Sequence, residues 1–188
     1  MKIHISELIS NRYSPMIFDT KAVSGEDIKV LLEAASLAAS SYNAQPWRFI
    51  YALKGTKDYE LLYSLLSDYN QNWTKDAPVL VLSVAQHIDE NDKMNYYGMH
   101  DLGQAVSSMA VQASYMGIQI HQMGGFDMDK ARELLKIPAS YIPGAMIAIG
   151  YPGDKTKLEG HFRDRAHEPR VRKPISEISG GVNFFKSR

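Results

Sequence analysis

Three polar clusters in the sequence combine the residue types that bind anions and heterocycles. The first, Arg12-Tyr13-Ser14, places a cation and a hydroxyl group directly after a predicted short helix. Arginine offers a fork of N–H donors and serine offers one more, which suits a phosphate group. The alternative is a solvated helix end, and these residues taken alone favour that simpler interpretation.

The second cluster is a polar loop, residues 40–49 (SSYNAQPWRF), between a predicted helix and a predicted strand. Its hydroxyl and carboxamide groups could hydrogen-bond the edge of a heterocycle. In the alternative interpretation, the serine and asparagine side chains satisfy their own backbone groups within a loop. For any single residue of the cluster, that alternative is the better explanation.

The third cluster is basic and lies near the C-terminus, at Arg170-Val171-Arg172-Lys173, with Arg163 and Arg165 upstream. In an extended segment, side chains two residues apart point to the same side, so Arg170 and Arg172 could converge on one anion. An exposed basic tail explains the same residues equally well.

The charge balance and the absence of cysteine exclude several classes of function. Twenty-one basic and 21 acidic side chains cancel, so no global field favours nucleic acid or an anionic membrane. Without cysteine, thiolate nucleophiles and Cys-ligated metals are excluded, and redox chemistry would need a bound cofactor. The six histidines form no H-E-x-x-H motif and no i, i+4 pair, so we expect no metal site.

Targeting and nucleotide-binding motifs are also missing from the sequence. No stretch approaches the roughly 18 apolar residues of a membrane helix, and the N-terminus has no apolar signal region. We therefore expect a cytoplasmic protein without a membrane partner. Neither G-x-G-x-x-G nor a Walker loop occurs, so a dinucleotide would not be bound by those devices.

Hydrophobic periodicity and capping residues predict the elements that must position the three clusters. Ser24 and Asp27 form a capping-box pattern before one helix, and Asp127 can cap another. The predicted helices span residues 6–11, 25–38, 57–67, 93–116 and 128–136, and the predicted strands span 47–53, 77–85 and 145–150. This order of elements predicts an α+β fold with a small central sheet.

The longest predicted helix, residues 93–116, has a broad stripe of small and apolar side chains between Leu102 and Met116. So many small residues indicate close packing against another helix. We expect residues 1–188 to form one domain, in which the basic, proline-containing segment from about 153 to 188 is an extended arm.

Five sequence motifs, in the same order, resemble those of the nitroreductase family across nearly the whole chain. They are RYS near the N-terminus, SSYNAQPWRFIYA, DYNQNWTKDAPVLVLS, MGGFD with the later IPASYIPGAMIAIGYP, and VRKPISEIS. The resemblance implies a nitroreductase-like fold, in which helices flank a small, mainly antiparallel sheet. It also implies a homodimer with the long central helix, and its stripe from Leu102 to Met116, at the interface.

The resemblance implies that the cofactor is FMN and that it is held by residues of both subunits. It implies that the FMN phosphate is bound by Arg12, Ser14, Arg170 and Arg172. It also implies that the flavin of the partner is contacted by Ser40, Ser41 and Asn43. The flavin ring of the same subunit would lie against Asn70, Met123, Gly124 and Gly125. Tyr13 lies within the first motif and Ala39 directly precedes the second, and both are included in the expected cofactor site.

Some residues depart from the pattern of the family. Met16 replaces a second cation that many relatives carry, and Ala39 replaces a proline. Trp73 stands where some members have a lysine near the N1/O2 edge of the flavin, which leaves the reduction potential open. The stretch between Gln86 and Tyr97 is short, where larger relatives insert helices that cover the substrate pocket.

The activity implied by the resemblance is electron transfer from NAD(P)H to a small organic acceptor, such as a nitroaromatic or a quinone, by a ping-pong mechanism. FMN would carry the chemistry, so we expect no catalytic side chain. One alternative is a specialised relative, such as an azoline oxidase, a dehalogenase or a flavin-fragmenting enzyme. Another is a flavin-binding module without turnover.

Overall fold

The computed structural model describes residues 4–185 and contains a four-stranded antiparallel sheet in the order β1-β2-β4-β3. The strands are β1 (Trp47–Leu53), β2 (Val79–Gln86), β3 (Gln119–Met123) and β4 (Tyr141–Gly150). The helices are α1 (Glu7–Asn11), α2 (Gly25–Ser36), α3 (Lys57–Ser64), α4 (Asp68–Thr74), α5 (Gly98–Tyr115), α6 (Met128–Leu135), α7 (Gly160–His167) and α8 (Ile175–Ile178). The predicted α+β class is confirmed.

The sheet is covered on both faces, because alternate residues of its central strands enter two different cores. Val79 and Val81 of β2 pack with α2 and α5 in one core. Leu80 and Leu82 pack with α3, α4 and α6 in the other. The continuous apolar run of β2 is therefore the pattern of a strand buried on both sides, as the sequence predicts.

Two predicted helix starts are confirmed by their capping hydrogen bonds. The Ser24 hydroxyl accepts from the backbone N–H of Asp27, and the Asp27 carboxylate accepts from the backbone N–H of Ser24. At α6, the Asp127 carboxylate accepts from the backbone N–H of Lys130 at 2.9 Å. Each cap satisfies donors that a helix cannot pair internally.

The long helix α5 begins at Gly98 and not near residue 93, as the sequence predicted. Residues before it form a turn, in which the Asp89 carboxylate accepts from the backbone N–H groups of Asn91 and Lys93. Such local hydrogen bonds compete with helix formation. A Cβ at Gly98 would lie 2.4 Å from the carbonyl oxygen of Gln86, so the helix can start there only with glycine.

Several further elements differ from the sequence-based expectations. The helix predicted over 57–67 ends at Ser64, and a separate helix, α4, was not predicted. Strand β3 was missed because its QIHQM sequence is polar and short. Strand β4 begins at Tyr141, earlier than the predicted 145. The arm from residue 153 onward carries α7, α8 and a 3-10 helix (Lys155–Lys157), so it is less extended than predicted.

The apolar stripe of α5 belongs to the core of its own chain. Leu102, Ala105, Met109, Ala110 and Ala113 are each at most 4% exposed, and they pack against α2 and the sheet. The expectation that this stripe forms the contact between subunits is therefore wrong. The stripe of small residues does report close helix packing, but its partner is α2 of the same chain. Every helix within residues 4–185 is too short or too polar to cross a lipid bilayer.

Candidate functional site

The first polar cluster lies along the edge of the sheet, next to β3. The backbone N–H of Tyr13 donates to the side-chain oxygen of Gln119 at 3.1 Å, and Nδ1 of His121 donates to the carbonyl oxygen of Pro15 at 2.7 Å. Gln119 and His121 both belong to β3. Because β3 is an edge strand, its outer side is free to hold the segment from Arg12 to Met16 in place.

A cavity of about 630 Å³, here named the basic cavity, opens between this N-terminal segment and the C-terminal arm. It brings together Arg12, Tyr13 and Ser14 with Arg170 and Arg172, which are about 160 residues away in sequence. The other lining residues are Ser10, Asn11, Pro15, Met16, Ile17, His121, Gly153, Lys155, Arg165, Ala166 and Glu168. The first and third sequence clusters thus form one site.

The charges in the basic cavity are not balanced within the described residues. Burial lowers the pKa of the Arg12 guanidinium, and the nearby guanidinium groups of Arg170 and Arg172 lower it further. Arg12 forms no ion pair with any described residue, and Glu168 supplies the cavity's carboxylate. A bound anion would relieve the repulsion among the three guanidinium groups, so the cavity fits a phosphate.

Arg170 also has a structural role that the sequence analysis did not predict. Its Nη1 donates to the carbonyl oxygen of Arg12 at 2.7 Å, and its Nη2 donates to the carbonyl oxygen of Ser10. These carbonyls end α1, where a helix leaves its last acceptors unpaired. Among residues 4–185, Arg172 donates to the carbonyl of its neighbour Val171. Ser14 is exposed, and its hydroxyl makes no hydrogen bond to a described residue.

A second cavity of about 290 Å³, here named the tryptophan cavity, adjoins the basic cavity. The two share Met16, His121 and Arg165. The remaining lining residues of the tryptophan cavity are Ser67, Tyr69, Asn70, Trp73, Gln122, Met123, Gly124 and Gly125. The four residues that the resemblance assigned to a flavin ring therefore lie together, next to the basic cavity.

A hydrogen-bonded chain forms the floor of the tryptophan cavity. The indole N–H of Trp73 donates to Oδ1 of Asn70 at 3.1 Å, and Nδ2 of Asn70 donates to the carbonyl oxygen of Gly125 at 2.9 Å. Trp73 is 5% exposed and its ring centroid lies 4.3 Å from that of His121. Met16 is also buried, so two of the residues that depart from the expected family pattern are neutral walls of this cavity.

Glycine occupies positions 124 and 125 for two different structural reasons. A Cβ at Gly125 would lie 2.8 Å from Nδ2 of Asn70, so packing within the chain requires glycine there. A Cβ at Gly124 would meet no atom within 4 Å, so no residue that the structure describes fills the space beside it. Glycine at 124 leaves room for the backbone to contact a flat ligand.

The second polar cluster lies away from both cavities of its own chain. Ala39, Ser40, Ser41 and Asn43 line neither cavity, and Ala39 and Asn43 are exposed. The loop contains three non-glycine residues in the left-handed region, Tyr42, Asn43 and Gln45. Such conformations persist only where surrounding contacts hold them, and they are frequent at ligand sites.

Two residues near the cavities, His121 and Tyr69, had no predicted role, and Arg165 was predicted only as part of the basic C-terminal cluster. His121 and Arg165 line both cavities, and Nη1 of Arg165 donates to the Tyr69 hydroxyl at 3.0 Å. Had β3 been predicted, its alternation would have placed His121 on the same side as Met123. The contact between Arg165 and Tyr69 has no signature in the sequence, because helices α7 and α4 bring the two residues together from 96 residues apart.

Relatives of this chain are found both in sequence and in structure. Protein DrgA of Synechocystis sp. is 30% identical over 177 residues, which cover 77% of this chain and 82% of that protein. The oxygen-insensitive NADPH nitroreductase of Helicobacter acinonychis is 27% identical over 69% of this chain and 78% of its own length. A crystal structure of an oxidoreductase containing FMN superposes with a TM-score of 0.90, at 33% identity, over 97% of this chain and 93% of that chain.

The sequence pattern of the nitroreductase family matches residues 9–69 and 56–151. These ranges include the first polar cluster, the loop from Ser40 to Asn43 and the tryptophan cavity's Met123-Gly124-Gly125. The match and the 30% identical relative cover well over half of the chain. The chain belongs to the nitroreductase family.

Proposed function

We propose that this protein is an FMN-dependent oxidoreductase that transfers electrons from NAD(P)H to a small organic acceptor. The observation that carries the proposal is the pair of adjoining cavities. One collects four guanidinium groups without a matching set of carboxylates among its lining residues, and the other has apolar and aromatic walls with an open position at Gly124. A flat ring joined to a terminal phosphate has the same two parts.

The residues of the chain bind and orient the cofactor. Arg12, Ser14 and Arg172 hold the phosphate in the basic cavity, while Arg170 fixes the segment that carries Arg12. The tryptophan cavity holds the ring against Met123 and Gly124, beside the Asn70 amide. When bound, FMN supplies a two-electron carrier between a nicotinamide donor and the acceptor, so no side chain is assigned as a nucleophile or a general base.

The named relatives support this activity. One relative is an NADPH nitroreductase, and a solved structure at 33% identity is an oxidoreductase containing FMN. The name of the first relative favours a nitroaromatic acceptor, and a quinone is the second acceptor class that we propose. A specialised reaction on the same scaffold and an FMN-binding module without turnover are the alternatives, and reduction by a nicotinamide donor separates the module from an enzyme.

We also propose that the active unit is a homodimer with residues of both subunits at each site. In the isolated chain the C-terminal arm exposes large apolar side chains, namely Val171, Ile175, Ile178, Val182 and Phe185, which are 60–99% exposed. Exposed apolar side chains at this density favour contact with another protein surface. The loop of Ser40, Ser41 and Asn43 lies away from its own chain's cavities, so it can serve those of a partner.

The cofactor test starts from the purified protein, whose flavin is released by denaturation and identified. We expect FMN, because the basic cavity suits one terminal phosphate; FAD, or no flavin after reconstitution, would contradict the proposal. Under nitrogen, NADH or NADPH should bleach the flavin absorbance, and a nitroaromatic or a quinone should restore it. If neither donor reduces the flavin, the binding module becomes the better description.

The phosphate test compares Arg12→Gln with Arg163→Gln. Arg163 lies on α7, contacts Asp164 on the surface and lines neither cavity, so it is the matched control. Loss of a charge-assisted hydrogen bond costs about 1.5–3 kcal/mol, so Arg12→Gln should weaken FMN binding by roughly 10- to 150-fold. Riboflavin, which lacks the phosphate, should bind both variants with the same affinity.

A further inference from the structure

We propose that His121 accepts a hydrogen bond, through Nε2, from a hydroxyl group of the ribityl chain of FMN. The inference rests on the proposed function, because it takes the phosphate to lie in the basic cavity and the ring in the tryptophan cavity. The ribityl chain joins these two parts of FMN. It must therefore pass the residues that both cavities share, which are Met16, His121 and Arg165.

The contact with Pro15 fixes which nitrogen of His121 carries the proton. A backbone carbonyl oxygen can only accept, so the 2.7 Å contact requires a hydrogen on Nδ1. In the neutral ring Nε2 then carries a lone pair. The His121 ring also packs against Trp73, with 4.3 Å between the ring centroids, so its orientation is held on two sides.

Nε2 of His121 is available to a ligand. It makes no hydrogen bond to a described residue, yet it is not sealed inside the protein. Within residues 4–185, His87 Nδ1 is the buried side-chain nitrogen or oxygen that lacks a partner. A polar atom that lines a cavity and has no protein partner is well suited to bind a ligand hydroxyl.

Of the three residues that the two cavities share, His121 is the one with a strong hydrogen-bond acceptor. The Met16 thioether is a weak acceptor, and the Arg165 guanidinium has no acceptor at all. A ribityl hydroxyl that donates here therefore finds its partner in Nε2 of His121. Arg165 can donate to the oxygen of the same or the next hydroxyl group, so the shared residues match a polyol.

His121 is held in the neutral form that accepts. Burial lowers its pKa, the hydrogen bond to the Pro15 carbonyl opposes that change, and the nearby Arg165 cation lowers the pKa further. A lowered pKa keeps the ring neutral to a lower pH than an exposed histidine. The charged and titratable side chains lining the two cavities around it are Arg12, Tyr13, Tyr69, Lys155, Arg165, Glu168, Arg170 and Arg172.

The test uses two variants, each of which retains a polar atom near the position of one of the two imidazole nitrogens. In His121→Asn, the side-chain amide can replace Nδ1 and still donate to Pro15, but no atom reaches the position of Nε2. In His121→Gln, the longer side chain can place an acceptor near Nε2 and gives up the bond to Pro15. Thermal unfolding of each reconstituted full-length variant checks that it is folded.

Two ligands isolate the ribityl hydroxyls. One is FMN, and the other is an FMN analogue in which hydrogens replace the three ribityl hydroxyl groups. The readout is the ratio of their affinities for the full-length apoprotein, measured by quenching of flavin fluorescence. His121→Asn should lower the preference for FMN by about 2- to 12-fold, the range for one neutral hydrogen bond, and His121→Gln should restore part of it.

The unmodified protein supplies an independent measurement through pH. Protonation of Nε2 removes the acceptor, so the preference for FMN over the analogue should fall as the pH drops through the lowered pKa of His121. Both ligands carry the same phosphate, whose second ionisation lies near pH 6, so its titration cancels in the ratio. The other charged side chains of the two cavities affect the binding of both ligands equally, so their titration also cancels in the ratio of affinities.

The possible results separate this inference from the proposed function. If the unmodified protein binds no FMN, the proposed function fails with it. If it binds FMN but the preference over the analogue is unchanged both in His121→Asn and at low pH, only the role of His121 is overturned. A preference that falls in His121→Asn, recovers in His121→Gln and falls at low pH supports the hydrogen bond.

Discussion

The carboxylate of Asp101 accepts a hydrogen bond from the backbone N–H of Ser41 at 2.9 Å, across 60 residues of sequence. Asp101 lies in the first turn of α5 and is 2% exposed. Its second oxygen contacts Nδ1 of His100 at 3.1 Å. This contact anchors the loop in which Tyr42 and Asn43 adopt left-handed conformations, so Asp101 positions residues proposed to serve the partner's flavin.

Removing the Asp101 carboxylate should destabilise the protein. In Asp101→Ala the partly buried N–H of Ser41 loses its acceptor, which costs about 1–3 kcal/mol. Asp101→Asn keeps an oxygen in place and should recover most of this loss. Urea unfolding at fixed protein concentration measures both, with Glu133→Ala on the exposed face of α6 as the control. Equal stability of Asp101→Ala and the control would show that the contact contributes nothing.

Asp101 also illustrates what the sequence could not predict. Asp101, Gln104 and Ser108 share one face of α5, and a polar face of a helix usually indicates exposure to solvent. The polar loop folds over the first turn of the helix and buries Asp101. Burial by a segment 60 residues away has no local signature, because helix periodicity reports only which residues share a face.

Local and strongly patterned elements were predictable. Strand β2 has a continuous apolar run, and the caps Ser24 and Asp127 form hydrogen bonds within three residues of themselves. Strand β3 was not predictable in this way. It is a five-residue edge strand whose polar side chains pair with the N-terminal segment, and His121 was missed with it.

Alanine substitutions at the two adjacent glycines should separate packing from cofactor binding. In Gly125→Ala the new Cβ would lie 2.8 Å from Nδ2 of Asn70 and 3.0 Å from Oγ of Ser67. Relieving that overlap disturbs the hydrogen bonds that join Trp73, Asn70 and Gly125. We therefore expect the apoprotein to lose about 1–3 kcal/mol of stability.

Gly124→Ala should have the opposite profile. No atom lies within 4 Å of the added Cβ, so apoprotein stability should change by less than about 0.5 kcal/mol. FMN affinity should fall, because the methyl group occupies space that the proposed site leaves for the flavin. Thermal unfolding of the apoprotein and flavin titration together distinguish the two variants. If Gly124→Ala still binds FMN tightly, the flavin ring does not lie against Gly124.

Ser83 should contribute to stability at the irregular register between β2 and β4. Its Oγ accepts from the backbone N–H of Ala145 and donates to the Ala145 carbonyl, both at 2.9 Å. Ser83→Ala leaves the partly buried N–H and carbonyl of Ala145 without this partner, and we expect a loss of about 1–3 kcal/mol. Ser107→Ala, on the exposed side of α5, is the control for chemical unfolding. A loss no larger than in that control would mean that other groups replace the hydroxyl.

Charges on the C-terminal arm should weaken the proposed homodimer without unfolding the chain. Val171 and Ile175 are 77% and 71% exposed in the isolated chain, so Val171→Asp with Ile175→Asp removes little packing within it. At an apolar contact between subunits, the two carboxylates should cost about 2 kcal/mol or more, roughly thirtyfold in the Kd of the dimer. Leu134→Asp, at 43% exposure on α6, is the matched control.

Flavin occupancy should follow the same dissociation, because the loop of Ser40, Ser41 and Asn43 serves the partner's cavities in the proposed dimer. FMN at about 100 times its Kd should stabilise the dimer by about 2.7 kcal/mol per site. Sedimentation velocity with absorbance at the flavin band records dissociation and flavin loss together. A monomeric arm variant that keeps FMN at full affinity would contradict the shared site. A charge at Ala110 is not a substitute for the arm variant. Ala110 is 4% exposed within its own chain, so a charge there should unfold the protein and would not test the contact between subunits.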